Sequence, residues 1–593
     1  MLKKLTPFIQ GYWLRSALAS ATVICEVLIE VYIPYLMADI INIGIANGDV
    51  SFIFRRGLLM IAMACLSLSM GALSGWFAAD ASAGFAKNLR AGLFRKVQGF
   101  SFANVDKFST ASLVTRLTTD VTNVQQSFMM IIRTLVRAPL MLIAATVMAV
   151  RLNAELATVF AFAIPLLGAF IIILGSKALP RFKAMLKKYD GLNAEVQENL
   201  IAIRVVKAFV REKHENERFT SSAEAVREAQ AKAERLLVLG MPVSQYALYL
   251  CMIAVCYIGG HLIVAGDMLT GDLMSFISYV SQILSSLLMV SMMFVSLTMT
   301  RASMTRILEV LDEQNDITDD DASASLSVPD GSIEFRDVCF SYAKDPNNLT
   351  LSHINLKIRR GETIGIIGGT GSAKSSLVQL VPRLYDVLSG SVLVGGHDVR
   401  EYKIKALRDS VSMVLQKNVL FSGTIRDNLR WGDTEATDAE VEEACRAAAA
   451  HDFITSFPAG YDTDLGQGGV NVSGGQKQRL CIARALLKRP KIIILDDSTS
   501  AVDTATDAAI RKALREELAG TTTLIIAQRI ASVMDADRIV VMNEGTIADV
   551  GTHEELLERS EIYREVFESQ QKGGGLKCLR YIKEKTHSTV LRT

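Results

Sequence analysis

The chain carries almost no net charge, and this absence already excludes some functions. Its 63 Lys and Arg residues balance 62 Asp and Glu residues, which leaves a formal charge of +1 over 593 residues. Without a basic excess, the overall charge does not favour binding to nucleic acid, and without an acidic excess it does not indicate a solvating tail. Cysteine is also scarce. The eight cysteines are spread along the chain without a Cys-x-x-Cys pair or a cluster with histidine, which argues against a zinc site or a disulfide scaffold.

Long apolar runs are what the chain does have, and they are confined to its first 300 residues. Half of all residues are apolar, and the mean hydropathy is +0.28. A helix needs about 20 apolar residues to cross the hydrocarbon core of a bilayer. Six runs approach or exceed this length, at roughly 16–41, 57–79, 130–150, 155–175, 239–264 and 273–298. We therefore predict six transmembrane helices. The first run is too long for a cleaved signal peptide and has no small-residue cleavage pattern.

The connections between these runs differ in length and in basic charge. The second and fourth, roughly 81–129 and 176–238, are long and contain 19 Lys and Arg residues, against three in the short connections. Basic residues concentrate on the cytoplasmic side of a membrane. The pattern predicts that the long connections, the N-terminus and everything after residue 300 are cytoplasmic. Apolar residues at three- and four-residue spacing within 186–211 predict that these connections are helical extensions of the bundle.

A change of composition marks a second domain. The stretch between 312 and 330 is acidic, contains serine and is poor in apolar residues, which is typical of a linker. From Gly331 onward short apolar strands alternate with helices, as in an α/β domain. We predict a transmembrane domain over 1–311, a linker over 312–330, an α/β domain over 331–572 and a C-terminal tail over 573–593.

A glycine-rich segment follows the strand predicted over 363–367. It runs from Gly368 to Ser375 and matches the phosphate-loop pattern G-x-x-x-x-G-K-[ST], except that Ala373 replaces the second glycine. In such a loop the backbone N–H groups bind phosphate oxygens, while Lys374 reaches the β and γ phosphates and the Ser375 hydroxyl ligates Mg²⁺. We expect Ala373 to be tolerated there with a negative φ.

Two further segments point to the same chemistry. The strand predicted over 491–495 ends in Asp496 and Asp497, and an acid at the end of such a strand is the usual Mg²⁺ partner of a phosphate loop. Between the loop and this strand, Ser473-Gly-Gly-Gln476 begins a predicted helix and is a second candidate anion site. Taken singly, this turn is more often an ordinary helix cap.

The order and spacing of these segments resemble the nucleotide-binding domain of ATP-binding cassette (ABC) proteins. Six spans fused to one such domain resemble an exporter half-transporter, from Met1 to about Gln571. The resemblance implies a helical membrane bundle with six transmembrane helices and long cytoplasmic extensions, joined to an α/β P-loop NTPase domain of the ABC type. It implies ATP and Mg²⁺ as cofactors, a cell-membrane location in a lipid bilayer, and a second half-transporter as partner.

The resemblance also assigns roles to residues. Tyr342 matches the aromatic that stacks on adenine, Gln416 the glutamine that couples Mg²⁺ to the membrane domain, and Asp503 the loop that crosses the dimer interface. Segments near 104–113 and 200–208 match coupling helices, and 464–470 matches the segment that contacts the intracellular loops. The implied ATP-binding residues are Tyr342, Gly368, Gly369, Thr370, Gly371, Ser372, Ala373, Lys374, Ser375, Ser376, Gln416 and Asp496, of which Ser375, Gln416 and Asp496 hold Mg²⁺. The implied signature residues, which face the ATP of the partner, are Ser473, Gly474, Gly475 and Gln476.

Two catalytic positions depart from the family pattern. Asp497 stands where the family has a catalytic glutamate, and Gln528 stands where it has a histidine that contacts the γ-phosphate. Aspartate is one methylene shorter, so its carboxylate falls short of the attacking water by about 1.5 Å, and a misplacement of about 1 Å can reduce a rate about 10²-fold. Glutamine cannot carry the charge of an imidazolium. We predict that the chain binds ATP but hydrolyses it poorly with its own phosphate loop.

The intact signature segment suggests what such a chain is for. In the family, each ATP lies between the phosphate loop of one subunit and the signature segment of the other. The sequence therefore predicts one subunit of a heterodimeric, multidrug-type exporter whose partner carries Glu and His at the two catalytic positions. Its cargo would be hydrophobic or amphipathic small molecules from the cytosol or inner leaflet. A lipid or peptide exporter, a homodimeric exporter with slow ATPase and a non-transporting ATP-binding regulatory protein remain open alternatives.

Two acidic residues lie inside the first apolar run. Glu26 and Glu30 are four residues apart and therefore share one face of the helix. Carboxylates within a membrane are costly and usually face a cavity or a partner. One hypothesis is a contact with a cationic cargo. The other is a structural role, either as an ion pair, for instance with Arg133 or Arg137, or as part of a polar, water-exposed seam.

Overall fold

The computed structural model describes residues 2–319, 326–497, 504–517 and 520–573. Asp503, and the predicted tail from residue 574 onward, lie outside these residues. The chain divides into two compact units, Met1–Gly99 with Phe108–Glu313 and Phe100–Lys107 with Gln314–Thr593. The predicted transmembrane domain, 1–311, includes residues 100–107. In the structure this segment packs with the second unit instead. There the Tyr385 hydroxyl donates a hydrogen bond to Asp106 Oδ2 at 2.7 Å.

The first unit is helical. Six helical stretches among the described residues are long and apolar enough to cross a membrane, which confirms the predicted number: Trp13–Ile45, Val50–Gln98, Thr110–Leu152, Thr158–Ile201, Glu212–Ala265 and Thr270–Val290. The helices before residue 320 are α1 (Leu2–Leu5), α2 (Trp13–Asp39), α3 (Val50–Gln98), α4 (Phe102–Phe108), α5 (Thr110–Thr115), α6 (Val121–Leu152), α7 (Thr158–Ile201), α8 (Ile203–Ala208), α9 (Glu212–Val238), α10 (Gly240–Ala265) and α11 (Thr270–Asp312). Short π-helical segments at Ile40–Ile45 and Arg116–Asp120 extend α2 and precede α6.

Small residues bring these helices close together. On α3, Ser74, Ala78 and Ala81 recur at three- and four-residue spacing and are fully buried. Ala78 and Ala81 pack with Ala19 of α2 and Ile132 of α6. Since the hydrophobic effect does not drive helices together in lipid, close backbone approach at small residues takes its place.

Three sheets lie among the described residues of the second unit. Its strands are β1 (Ile333–Phe340), β2 (Leu351–Ile358), β3 (Thr363–Gly368), β4 (Ser389–Val394), β5 (His397–Asp398), β6 (Val411–Val414), β7 (Gly423–Thr424), β8 (Asp464–Leu465), β9 (Ile492–Asp496), β10 (Thr522–Ile526), β11 (Arg538–Asn543) and β12 (Thr546–Gly551). Its helices after residue 320 are α12 (Lys374–Gln379), α13 (Ile404–Ser410), α14 (Ile425–Leu429), α15 (Asp438–Ala447), α16 (His451–Thr455), α17 (Gly474–Leu487), α18 (Thr504–Glu517), α19 (His553–Arg559) and α20 (Glu561–Gly573).

The largest sheet has the strand order β12-β11-β3-β10-β9-β6, and all its neighbours pair in parallel except β11 with β12. A four-stranded antiparallel sheet has the order β2-β1-β4-β5, and β7 pairs with β8. The central strands β9 and β10 are continuous apolar runs, as expected for parallel strands that are buried on both faces. The carboxyl ends of β3, β9 and β10 meet at one edge, which is where ligands bind in open α/β sheets.

Candidate nucleotide site

The glycine-rich loop leaves β3 at this edge and leads into α12. Gly368 ends the strand, and a Cβ atom at Gly369 or Gly371 would meet no atom within 4 Å. The face of the loop at these two glycines is therefore open, and a phosphate can approach its backbone N–H groups. Gly371 has a φ of +85°, which favours glycine.

Ala373 corrects one expectation. Its φ is +65° and its ψ is 25°, in the left-handed region, rather than the negative φ expected from the sequence. The loop takes the conformation that the missing glycine would adopt without strain, because the turn from β3 into α12 requires it there. A left-handed conformation costs an L-residue roughly 1–2 kcal/mol.

Lys374 turns back into its own loop. Its Nζ donates hydrogen bonds to the carbonyl oxygens of Gly368 at 2.9 Å and Gly369 at 2.7 Å. Burial lowers the pKa of Lys374, and the carboxylates of Asp496 and Asp497 oppose that shift. The ammonium group is therefore held within the loop, on the side of the two acids.

Ser375 and Asp496 lie side by side, and their oxygens suit a magnesium ion. The Ser375 hydroxyl donates to Asp496 Oδ1 at 2.9 Å, and Asp496 is only 2% exposed. Burial raises the pKa of Asp496, and the hydrogen bond from Ser375 opposes this. Mg²⁺ prefers oxygen ligands and usually takes one or two carboxylates together with substrate phosphates. A hydroxyl next to a single carboxylate fits that donor set, and no cluster of three or more His, Cys, Asp or Glu residues suited to a metal occurs among the described residues.

The two residues that depart from the family pattern contact each other. Gln528, which follows β10, donates from Nε2 to Oδ2 of Asp497 at 2.8 Å. Asp497 follows β9, is 9% exposed and has a φ of +48°. Burial raises the pKa of its carboxyl, while hydrogen bonds from the side chains of Gln416 and Gln528 oppose the shift. The structure thus brings together three residues that lie far apart in the sequence.

Tyr342 lies beside the phosphate-loop helix. Its hydroxyl shares a hydrogen bond with Ser376 Oγ at 2.9 Å, and its ring meets the ring of Tyr385 edge-on with centroids 5.1 Å apart. The side chain is 47% exposed. The hydroxyl therefore fixes the position of the ring while part of the ring stays available for stacking, as an adenine contact requires.

Ser473 caps α17. Its hydroxyl accepts a hydrogen bond from the Gln476 amide at 3.3 Å, and Gln476 Oε1 accepts one from the Ser473 amide at 2.9 Å, which together form a capping box. Among the described residues, Ser473 makes none of the contacts that join Lys374, Ser375 and Asp496. Within one chain the segment is thus an ordinary cap, the structural alternative that the sequence left open.

Comparison with known proteins identifies the family. The profile of the ABC transporter transmembrane region matches residues 17–287, and that of the ABC transporter ATPase domain matches residues 351–500. The ABC transporter ATP-binding protein YfiB of Bacillus subtilis is 38% identical over 570 residues, which is 96% of this chain and 98% of YfiB. The chain belongs to the ABC transporter family. It is a half-transporter, with one membrane domain fused to one ATPase domain, and half-transporters generally dimerise and act in a lipid bilayer.

A further relative and a solved structure indicate that this half-transporter has an exporter fold. An ATP-dependent lipid A-core flippase of Syntrophus aciditrophicus is 33% identical over 463 residues, 78% of this chain and 76% of the flippase. The structure of a bacterial Atm1-family ABC exporter with ATP bound is 25% identical, has a TM-score of 0.79, and covers 95% of this chain and 98% of its own. The ABC ATPase domain implies that the half-transporter binds ATP and belongs to an ATP-hydrolysing exporter.

The sequence did not indicate one further residue beside the catalytic position. Gln570, on α20, donates from Nε2 to the carbonyl oxygen of Gln528 at 2.7 Å and accepts a hydrogen bond from the Ile530 amide at 2.9 Å. One amide thereby holds both sides of the loop that carries Gln528. Its position some 40 residues later gives no local signal.

In the membrane domain, the structure pairs the two acids of α2 with one base. Arg137 of α6 hydrogen-bonds Glu26 through Nη1 and Glu30 through Nη2, the latter at 2.7 Å. Of the two candidate partners, Arg137 makes this pair. Arg133, one turn earlier, lies 3.6 Å from where a Cβ of Gly75 on α3 would be.

Proposed function

We propose that the chain is the catalytically weak half of a heterodimeric ABC exporter. The observation that carries the proposal is the contact between Gln528 Nε2 and Asp497 Oδ2 at 2.8 Å. The residues that bind nucleotide are present around it, namely Lys374, Ser375 and Asp496. The residues that activate water and contact the γ-phosphate in the family are replaced.

The contact itself supports weak hydrolysis. A general base must reach the proton it removes at about 2.6–3.2 Å. The carboxylate of Asp497 is one methylene short of that reach, and amides from Gln416 and Gln528 already donate hydrogen bonds to it. Those hydrogen bonds occupy acceptor positions of the carboxylate and oppose the rise in its pKa that burial causes. The amide of Gln528 is neutral, so it does not supply a positive charge to a phosphate.

The signature segment supports a role at the site of a partner. Ser473, Gly474 and Gly475 begin α17 with an exposed, capped turn, and their sequence matches the signature pattern of the family. In a dimer of half-transporters this turn would bind the γ-phosphate of the partner's ATP. The partner would then supply Glu and His, and Ser375, Gln416 and Asp496 of this chain would hold Mg²⁺ at the weaker site.

We further propose that the exporter lies in the cell membrane with its N-terminus and ATPase domain in the cytoplasm. Its cargo would be hydrophobic or amphipathic molecules taken from the cytosol or inner leaflet. The lipid A-core flippase among its relatives favours a lipid as the second candidate cargo.

Matched variants in the assembled pair test the proposal. Ser473→Ala removes a hydroxyl donor to the phosphate of the partner's ATP, a charge-assisted contact of about 1.5–3 kcal/mol, so ATPase of the pair should fall roughly tenfold or more. Asp497→Asn should change it only modestly. Measured ATPase of purified pairs reconstituted in nanodiscs provides the comparison.

A control separates catalysis from helix capping, because Ser473→Ala also removes a cap worth about 1 kcal/mol. Thr552 caps α19 with the same capping box, so Thr552→Ala loses a cap without touching nucleotide and should leave ATPase unchanged. Abolished turnover in Asp497→Asn combined with normal turnover in Ser473→Ala would reverse the assignment of the two sites. Vigorous ATPase by this chain in the absence of any partner would favour the homodimer instead.

A further inference from the structure

Five basic residues lie where α7 and α9 meet the apolar part of the membrane domain. A Cβ atom at Gly240 would be 3.2 Å from Leu174 Cδ2, so these two residues are neighbours across the helix pair. Nη1 of Arg181 donates a hydrogen bond to the carbonyl oxygen of Lys232 at 3.2 Å. The two contacts align 174–183 of α7 in antiparallel register with 231–240, the end of α9 and the start of α10. These stretches contain the residues that we call the basic cluster: Lys177, Arg181, Lys183, Lys232 and Arg235.

Acids on the same helices do not balance the basic cluster. Glu234 is the one acid within the two stretches, and Glu228, one turn before Lys232, forms an exposed ion pair with Lys232 at 3.2 Å. Five bases against these two acids leave a formal charge of +3. The other members of the cluster form no ion pair among the described residues. The next charged residues along α7, Lys187 and Lys188, are basic as well.

The basic cluster lies at the level of lipid head groups. The apolar run of α7 ends near residue 175, and that of α10 begins near residue 239. At 1.5 Å per residue, the five residues lie roughly 3–12 Å beyond these ends. Head groups occupy roughly 5–8 Å on each side of the hydrocarbon core, and the long side chains of Lys and Arg can bend toward that layer. Exposed apolar residues continue toward the core, among them Ile173 and Val238.

Two of the cations share one face of α7. Lys177 and Arg181 are four residues apart, so their side chains are neighbours on the helix. Ala178 and Ala233 are buried in these stretches, whereas every member of the basic cluster is exposed. The guanidinium group of Arg181 has five N–H donors, and one of them makes the bond to Lys232. Its remaining donors form no bond among the described residues and fit the oxygens of a phosphate.

We propose that the basic cluster binds the phosphate head group of an anionic phospholipid. Arg181 and Lys177 would hold the phosphate oxygens, and the exposed apolar residues next to the cluster would contact the acyl chains. Each Lys or Arg near a membrane surface adds about 1 kcal/mol of attraction to anionic lipid, which is roughly fivefold in affinity. A zwitterionic lipid carries the same phosphate, but its own ammonium group cancels the charge, so the cluster favours the anionic lipid.

The lipid site belongs to a single chain and goes beyond the proposed function. A homodimer and a heterodimer would both contain it, and its occupation involves no nucleotide. In the orientation proposed above, the site faces the cytoplasmic leaflet.

Native mass spectrometry of the purified full-length chain tests the proposal with two lipids of equal acyl chains, phosphatidylglycerol and phosphatidylcholine. We expect phosphatidylglycerol to bind roughly tenfold or more tightly. The preference should shrink when ammonium acetate is raised from about 0.1 M to about 1 M, because the screening length falls from about 10 Å to about 3 Å. Equal affinity for the two lipids would overturn the proposal.

A pair of substitutions locates the site. Lys177→Gln combined with Arg181→Gln removes two charges, so the affinity for phosphatidylglycerol should fall roughly tenfold or more while that for phosphatidylcholine stays the same. The control combines Arg211→Gln with Lys213→Gln. It removes the same charge from exposed positions that lie about 28 Å or more from Lys232 along α9, and it should have no effect. Equal affinities in the two variants would place the lipid elsewhere and contradict the proposal.

A variant that keeps both charges distinguishes charge from folding. Lys177→Arg combined with Arg181→Lys should retain most of the affinity for phosphatidylglycerol, because the attraction depends mainly on charge. A loss as large as that of the glutamine variant would mean that these side chains act through the fold, and it would overturn the proposal. The comparison of lipids on the unmodified chain needs no variant, so it decides even where a variant misfolds.

Two further arms test the occupant and the setting. Inorganic phosphate serves as a competitor at the concentration of the lipid. Lipid that stays bound supports a lipid site, whereas displacement would make the cluster a site for free phosphate and overturn the proposal. The titration is then repeated on the assembled pair, where the preference for phosphatidylglycerol should persist. Its loss there would mean that the partner covers the cluster, which would also overturn the proposal.

Discussion

At the scale of single residues, Ala373 and Asp497 carry unusual backbone conformations in the nucleotide site. Both have a positive φ, +65° and +48°. Asp tolerates this region better than most residues, because its short polar side chain forms local hydrogen bonds. Ala has no such compensation, so strain at Ala373 is retained only because the phosphate loop requires that conformation.

Ala373→Gly should therefore stabilise the ATPase domain. Relief of roughly 1–2 kcal/mol of left-handed strain exceeds the ~0.5–1 kcal/mol that glycine loses in unfolded-state entropy, so a net gain of about 0.5–1 kcal/mol is expected. Thermal unfolding of the purified chain measures it. The control is Ala508→Gly on the exposed face of α18, which should destabilise by about 1 kcal/mol. A loss at residue 373 as large as the loss at 508 would mean that Ala373 is unstrained.

Asp497 predicts a pH dependence of stability. Burial raises the pKa of its carboxyl in the folded state, so protonation favours folding. The contribution of this group to stability is then fully present below the unfolded pKa of about 3.9 and is lost as pH rises through the higher folded value. Asp497→Asn removes the ionisation and keeps a residue that tolerates a positive φ.

We expect Asp497→Asn to unfold at a higher temperature than the wild type at pH 7, with a gap that narrows as the pH falls toward about 4. Melting curves recorded across this pH range measure the gap. Glu443→Gln, on an exposed face of α15, controls for loss of one negative charge and should show no such trend. A gap that is constant with pH would contradict a raised pKa at Asp497.

At the scale of elements, α20 is joined to the loop after β10 through a single side chain. Gln570 hydrogen-bonds the Gln528 carbonyl and the Ile530 amide, at 2.7 and 2.9 Å. The same loop positions the Gln528 side chain on Asp497. The last helix among the described residues thus contributes to the geometry of the catalytic position, although Gln570 and Gln528 lie on different elements.

Gln570→Ala should loosen that loop. A lost hydrogen bond of about 1 kcal/mol raises the population of locally open states about fivefold, so the Ile530 amide should exchange with solvent about five times faster. Hydrogen exchange followed by mass spectrometry or NMR measures the rate. Gln571→Ala, at the neighbouring exposed position, is the matched control. Equal protection of Ile530 in both variants would show that the two hydrogen bonds do not hold the loop.

At the scale of the whole molecule, the proposed orientation rests on 19 basic residues in the long connections against three in the short ones. Cysteine labelling in intact cells tests it. A cysteine at exposed Asp267, between α10 and α11, should react with a membrane-impermeant maleimide, and one at exposed Lys213 of α9 should not. Labelling of the unmodified chain provides the background from its natural cysteines. The reverse pattern would invert the proposed topology.

The local pattern of the sequence determined the secondary structure elements of this protein. Six apolar runs predicted six membrane-crossing helices, and the order of phosphate loop, Ser473-Gly-Gly-Gln476 and Asp496 indicated an ABC ATPase domain, because helix length, strand alternation and motif spacing depend on residues close in the chain. The sequence also placed Asp497 and Gln528 in one site through the family resemblance. It did not predict that they bond each other.

Only the tertiary structure decided how distant groups pair. The choice of Arg137 over Arg133 depends on which faces of α2, α3 and α6 meet, since the two arginines lie one turn apart on one helix. The bonds of Gln570 depend on how α20 packs near the end of β10. The positive φ of Ala373 depends on the path from β3 into α12, which overrides the preference of alanine itself. For Arg137 and Gln570 the deciding contact joins separate elements, and packing rather than local propensity selects it.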